Sequence, residues 1–252
     1  MLTLLSVALL ATMTTQDFKF TDQDKVVKTA TGLEYADTQV GKGTAVKPGY
    51  LAIVHYTLRL DDAKQIDSSR SQDRTPFSFL VGAKQVIAGW DEGLVGMQPG
   101  TRRKLRVPAA LGYGEKGIQD VIPGGATLWF DVEVLATTAP GGFIEGEKPI
   151  AHEGIQIVDV LPGTGEGAKK GEKVRVMYSL YVPGGKLLER GRQPLEWTIG
   201  DGKLIKGFDA AATGLKKGGF RKALVPPELG YGAAGAGPIG PNQQLWFVLD
   251  RL

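Results

Sequence analysis

TGLEYADTQVGKGTAVKPGYLAIVHYTL (residues 31–58) and EGIQIVDVLPGTGEGAKKGEKVRVMYSL (153–180) lie over one another without a gap, at a constant offset of 122 residues. Gly41, Gly43, Gly49 and Tyr56 fall on Gly163, Gly165, Gly171 and Tyr178. Downstream the offset drops to 118, so that Gly82 meets Gly200 and LGYG at 111–114 meets LGYG at 229–232. The second copy is therefore four residues shorter in the loop before Leu195, and one further deletion precedes its last strand. Each copy is about 110 residues, too long for a solenoid unit and an ordinary size for one domain, so each is expected to bury its own core. The expected organisation is an N-terminal segment 1–24, a first domain 25–137, a linker 138–148 and a second domain 149–252. The Pro-Gly-Gly of TTAPGGFIEGEKPI (137–150) suits a linker, within which Phe143 and Ile144 are able to dock on a neighbour.

Strand patterns dominate each copy. In LAIVHYTLRL, Ala52, Val54, Tyr56, Leu58 and Leu60 share one face by the period-two rule. In ATLWFDVEVL, Leu128, Phe130, Val132 and Val134 do the same, with Asp131 and Glu133 turned outward. One helix of any length is expected per copy, over QVIAGWDEGLVGM (85–97) and KLIKGFDAAATGL (203–215), ended by Pro99-Gly100 and by Lys217-Gly218. Glycine costs a helix interior roughly 1 kcal/mol relative to alanine. Three glycines around Trp90 therefore point to room for a close neighbour rather than to helix stability. Several strands and one amphipathic helix give an α+β domain, a curved antiparallel sheet wrapped on that helix.

Composition narrows the function classes. Apolar residues make up 42% and charged residues 23%, as in a globular protein, and net charge is only +3. The basic clusters at 102–104, Lys169/Lys170 and Lys216/Lys217 read as solvated loop and strand faces, which argues against nucleic-acid binding. The absence of cysteine excludes disulfides and thiolate chemistry, and two histidines without ligand-like spacing argue against a metal centre. The apolar run at residues 2–11 is too short to span a bilayer but suits the core of a secretory signal, although no lysine or arginine precedes it. Export is the favoured expectation, with a cytoplasmic chain as the alternative and no stable membrane insertion in either case.

VHYTLRLDDAKQIDSSR, TPFSFLVGAKQVIAGWDEGLVGM and LGYGEKGIQDVIPGGATLWFDVEVL resemble, in order and spacing, the FKBP-type peptidyl-prolyl cis-trans isomerases (immunophilins). The resemblance covers nearly all of 25–137, and the second copy is similar to the same fold with a divergent pocket. It implies two tandem half-barrels, each with a pocket between helix and sheet. It assigns Tyr56, Asp67, Trp90, Tyr113 and Phe130 to the catalytic pocket, with Trp90 as the floor beneath a proline ring. Ile66, Phe77, Val86, Ile87 and Ile122 are assigned to substrate binding. The Ile87 N–H and the Tyr113 hydroxyl are the implied donors to substrate carbonyls. Asp67 is left two roles, meeting the polarised carbonyl carbon or orienting Tyr56. Ile66 stands where the family usually has Phe, and the loop after Asp67 is one residue longer, which leaves its arginine partner either Arg74 or absent.

In the second copy the matching pocket is Tyr178, Glu189, Leu195, Leu204, Ile205, Phe208, Tyr231, Ile239 and Phe247, with Arg192 the nearest basic candidate. Phe208 replaces the tryptophan, and Glu189, one methylene longer than aspartate, is expected to misplace a pocket hydrogen bond. The implied partners are proline-containing polypeptides, unfolded or partly folded, and a rapamycin-type macrolide, with no cofactor and no metal. Taken singly, Tyr56 and Phe130 read as core aromatics and Asp67 as a turn cap. The readings carried forward are an isomerase working in the first copy, a non-catalytic prolyl-peptide binding or chaperone module using both, and a structural β-rich repeat without a pocket.

Overall fold

The computed structural model describes residues 18–252 apart from Asp73 and Arg192, so the apolar run at 2–11 lies outside the described residues. The first domain comprises β1 (Val27–Lys28), β2 (Glu34–Gln39), β3 (Leu51–Arg59), β4 (Gln65–Ser68), β5 (Phe77–Leu80), α1 (Ala88–Gly93), β6 (Arg102–Val107) and β7 (Leu128–Thr138). The second repeats the plan with β8 (Ile150–His152), β9 (Ile155–Leu161), β10 (Lys173–Tyr181), β11 (Leu187–Arg190), β12 (Leu195–Thr198), α2 (Lys206–Ala212), β13 (Phe220–Val225) and β14 (Leu245–Arg251). Each sheet has seven antiparallel strands, in the order β1-β2-β6-β7-β3-β4 with β5 also on β3, and β11-β10-β14-β13-β9-β8 with β12 also on β10. No helix among the described residues is long and apolar enough to cross a membrane.

The alternation read from the sequence places Ala52, Val54, Leu58, Phe130, Val132 and Val134 in one core beneath α1. The helices are shorter than their apolar periodicity suggests. Both stop well before the expected Pro99-Gly100 and Lys217-Gly218 signals, α1 at Gly93 and α2 at Ala212. Gly96 and Gly214 follow with φ of +83° and +75°, a conformation that ends a right-handed helix. Two glycines act by size instead. A Cβ on Gly89 would lie 2.5 Å from Val107 Cγ1, and one on Gly207 would collide with Val225 in the same way.

The basic triplet departs from its expected solvated state. Arg103 and Lys104 are buried. Arg103 donates to both Asp37 carboxylate oxygens at 2.6 and 2.9 Å and to the Gly93 carbonyl at 2.7 Å, closing the C-terminal end of α1. Arg221 repeats this with Asp159 and the Thr213 carbonyl in the second domain. Lys104 donates to the Lys19 carbonyl and to Asp24, holding the entering chain on the outer face of the first sheet. Lys169, Lys170, Lys216 and Lys217 are exposed.

The outer faces of the two sheets meet. Leu51, Ile53 and Ala136 of the first domain form a buried cluster with Tyr181, Phe220, Trp246 and Val248 of the second. Residues 138–148 are packed into this junction, with Phe143 edge-on to Trp246 at 4.7 Å between centroids. At its centre is Lys222, fully buried, which donates to Glu147 and the Thr138 hydroxyl at 2.6 Å and to the carbonyls of Gly142 and Ala139 at 2.8 and 3.1 Å. Truncating one partner of a buried pair strands the other charge, at a cost of about 3–5 kcal/mol. Lys222→Ala should therefore lower stability by that order in urea melts, and pairing Lys222→Met with Glu147→Gln should recover most of it. A midpoint unchanged in Lys222→Ala would show that this lysine does not anchor the junction.

Candidate active site

Strands β3, β4, β5 and β7 and helix α1 converge on one pocket in the first domain. Strand β3 presents Tyr56 and Leu58 on its concave face, and β4, paired with it so that Asp67 lies opposite Leu58, brings a carboxylate to the rim. The segment entering α1 supplies Gln85, Val86 and Ile87, and α1 itself supplies Trp90. With Phe77, Tyr113 and Phe130 they enclose about 210 Å³.

Trp90 is 4% exposed and forms the floor. Its ring meets Tyr56, Phe77 and Phe130 edge-on at centroid distances of 5.1, 6.0 and 5.2 Å, the geometry aromatic quadrupoles favour. The close approach of Gly89 to Val107 sets the depth of this floor. Ile87 is the N-cap residue of α1, with extended backbone (φ −60°, ψ 150°). Its N–H therefore precedes the helical ladder, and it meets no carbonyl among the described residues.

The Tyr56 hydroxyl donates to Asp67 Oδ2, and Arg74 Nη2 donates to Asp67 Oδ1 at 3.1 Å. The basic partner for Asp67, which the sequence left as Arg74 or absent, is Arg74, and the same carboxylate accepts from Tyr56. Burial, followed by the hydrogen bond and charge of Asp67, pushes the Tyr56 phenol up to about 12, so it stays protonated near neutrality. Burial first, and then Asp67, also raises the Tyr113 phenol. The site holds one carboxylate already committed to two donors and, among its lining residues, no cysteine or serine nucleophile.

Ile66 and Ile122 do not join these residues in the pocket wall. Ile66 packs against the core, and Ile122 is buried in it beside the Ile118 bridge. Leu58 and Gln85 line the pocket but were not singled out from the sequence. Leu58 follows Tyr56 at the strand period, and Gln85 adjoins Val86, so local spacing carried both signals.

The second domain holds a matching pocket of about 190 Å³ lined by Tyr178, Leu180, Glu189, Leu195, Lys203, Leu204, Ile205, Phe208, Tyr231 and Phe247. Ile239 is again buried core rather than pocket wall. Leu180 and Lys203 are the counterparts of Leu58 and Gln85. The expected misplacement of the carboxylate does not occur, because the Tyr178 hydroxyl donates to Glu189 and the longer side chain still reaches. Glu189 is exposed where Asp67 is half-buried. Arg192, its expected basic neighbour, lies outside the described residues.

The floors differ by an exchange invisible in either position alone. In the first domain Phe79 on β5 packs against Trp90 on α1, at 5.5 Å between centroids. In the second, Trp197 on β12 packs against Phe208 on α2, at 5.1 Å. The indole has moved from helix to strand and the phenyl ring from strand to helix. The indole N–H changes partner with it: Trp90 Nε1 has none among the described residues, whereas Trp197 Nε1 donates to Asp209 at 2.9 Å. Asp91, the counterpart of Asp209, accepts instead from the Gly82 and Lys84 N–H groups. Swaps that conserve core volume are tolerated best. Trp90→Phe should destabilise the protein by about 1–3 kcal/mol, and adding Phe79→Trp should recover part of that loss. Strict additivity in a double-mutant cycle would show that the two rings do not share one volume.

The FKBP-type peptidyl-prolyl cis-trans isomerase model matches residues 42–135 and again 165–250. The peptidyl-prolyl cis-trans isomerase FKBP2 of Homo sapiens is 47% identical over 117 residues, covering 43% of this chain and 82% of that protein. FKBP15-2 of Arabidopsis thaliana is 48% identical over 117 residues, covering 46% of this chain and 63% of that protein. FKBP10 of Bos taurus is 34% identical over 199 residues, covering 78% of this chain and 33% of that protein. The chain thus spans about a third of the length of FKBP10. With both repeats matched by one family model, the chain belongs to the FKBP-type peptidyl-prolyl cis-trans isomerase family.

Proposed function

We propose that the chain is a peptidyl-prolyl cis-trans isomerase that acts on X–Pro bonds of unfolded or partly folded polypeptides, with catalysis in the first-domain pocket. The observation that carries this is the aromatic enclosure over Trp90, with an Ile87 N–H that meets no carbonyl among the described residues and the one carboxylate among its described lining residues already tied to Tyr56 and Arg74. Rotation about the X–Pro bond passes through a twisted amide, against a barrier of roughly 18–20 kcal/mol. The planar ground state is stabilised by charge separation onto its oxygen, which water favours and an apolar enclosure disfavours. Trp90, Tyr56, Phe77 and Phe130 exclude water from the proline ring, while the Ile87 N–H and the Tyr113 hydroxyl orient the carbonyls beside it. No proton is transferred, so Asp67 acts by fixing Tyr56 rather than as an acid or base. Each ~1.4 kcal/mol of preference for the twisted amide is tenfold in rate.

The second pocket keeps its Tyr178–Glu189 pair but has a phenyl floor, which supports prolyl-peptide binding there with little turnover. In a protease-coupled assay on an Ala-Leu-Pro-Phe peptide, Tyr56→Ala and Trp90→Ala in the full chain should lower kcat/KM by about 10- to 100-fold. Asp67→Asn, which opens no cavity, should lower it less, Phe208→Ala should leave it nearly unchanged, and a rapamycin-type macrolide should inhibit. Full activity in Trp90→Ala would overturn the pocket assignment and move catalysis to the second domain.

The apolar run at 2–11 supports export of the chain. N-terminal sequencing of the mature protein should then start downstream of residue 11, and a mature chain beginning at Met1 would refute it.

A further inference from the structure

Strand β14 is buried on both faces. Phe247 and Leu249 point into the core of the second domain, while Trp246 and Val248 belong to the cluster between domains. Asp250 continues that second face by the strand period. It is 9% exposed, and its Oδ1 has no hydrogen-bond partner among the described residues. A buried polar atom without a partner costs about 1–3 kcal/mol, which a domain junction built only for stability has no reason to keep.

Asp250 lines a cleft of about 220 Å³ between the domains, with Leu51, Phe77 and Ser78 on one side and Tyr178, Phe220 and Val248 on the other. Phe77 is also a wall of the first-domain pocket, and Tyr178 a wall of the second. The cleft thus adjoins both pockets, and a chain leaving either one over these rings meets it.

The other charged or titratable side chains around the cleft are engaged elsewhere. Arg190 on β11 reaches across the junction to Gln85 and to the Ser78 carbonyl, closing the cleft on that side. Lys222 on β13 is held by Glu147, and Tyr178 on β10 donates to Glu189. The first domain contributes no titratable side chain to the cleft wall.

We propose that this cleft is a subsite for the client chain flanking the proline, and that Asp250 accepts a lysine or arginine side chain of the client there. The proposal rests on the isomerase reading for the placement of the proline in the first pocket. It commits to a basic, extended polypeptide because the acceptor left without a partner is a carboxylate and because the cleft continues from the proline sites on both sides. Burial holds the Asp250 carboxyl up to about 7, so the anion that attracts such a side chain predominates only above neutrality.

The test uses the full chain and a series of otherwise neutral peptides, each with one proline and one lysine stepped through the flanking positions. A peptide with glutamine in place of the lysine is the reference. In one register the lysine peptide should bind about tenfold tighter than its glutamine counterpart, and more so at pH 8 than at pH 6. Asp250→Asn should abolish that preference while leaving turnover of the short Ala-Leu-Pro-Phe peptide unchanged. Equal affinity in every register, or a preference that survives Asp250→Asn, overturns the proposal. Absence of turnover on the short peptide in the unmodified chain would overturn the isomerase reading instead, and the lysine preference is read independently of it.

Discussion

Everything that makes the pocket depends on how closely a helix of less than two turns lies against its sheet. At Gly89 there is no space for a methyl group between α1 and Val107, and at Gly207 none between α2 and Val225. That approach lowers the next residue, Trp90 or Phe208, until its ring becomes the floor of a cavity instead of the filling of one. Arg103 and Arg221 then hold the other end of each helix by donating to its terminal carbonyls. Helix propensity is given up for this placement, because the stability of so short a helix comes from packing rather than from its own hydrogen bonds.

The second constraint acts between the domains. In an isolated half-barrel the outer faces of β3 and β14 would be wet, yet Ile53 and Val248, which lie on those faces, are both buried in the cluster between the domains. The linker is drawn into the same junction by Lys222, whose charge meets four oxygen atoms and no water-facing surface. The two pockets are thus held in one arrangement by apolar burial and one buried ion pair, with Arg190 and Gln85 joining their rims.

The divergence of the second pocket is subtler than a list of substitutions suggests. Glu189 keeps the bond to tyrosine that Asp67 makes, so the added methylene is absorbed at an exposed rim. The tryptophan is not lost but moved to Trp197, where Asp209 satisfies its N–H. The Trp90 indole N–H, by contrast, is buried without a partner among the described residues, beneath the pocket read as catalytic.

Much of this was legible in the residues. The gapless repeat, the alternation along VHYTL and LWFDVEV, and the glycines beside Trp90 determined two half-barrels and the aromatic lining, because strand period and domain size are local properties of a chain. Pairing was not local. Ile66 and Ile122 read as pocket residues until register and loop path set Ile66 against the core and buried Ile122 in it, and Arg103 and Lys104 read as solvated until Asp37 and Asp24 came within reach. Whether Asp67 had Arg74 as a partner, whether Glu189 could still meet Tyr178, and whether Asp250 would face a cleft depended on distances between residues far apart in the chain. Sequence determined which side chains share a face; tertiary structure decided which of them meet, because burial and hydrogen bonding depend on what the opposite surface brings.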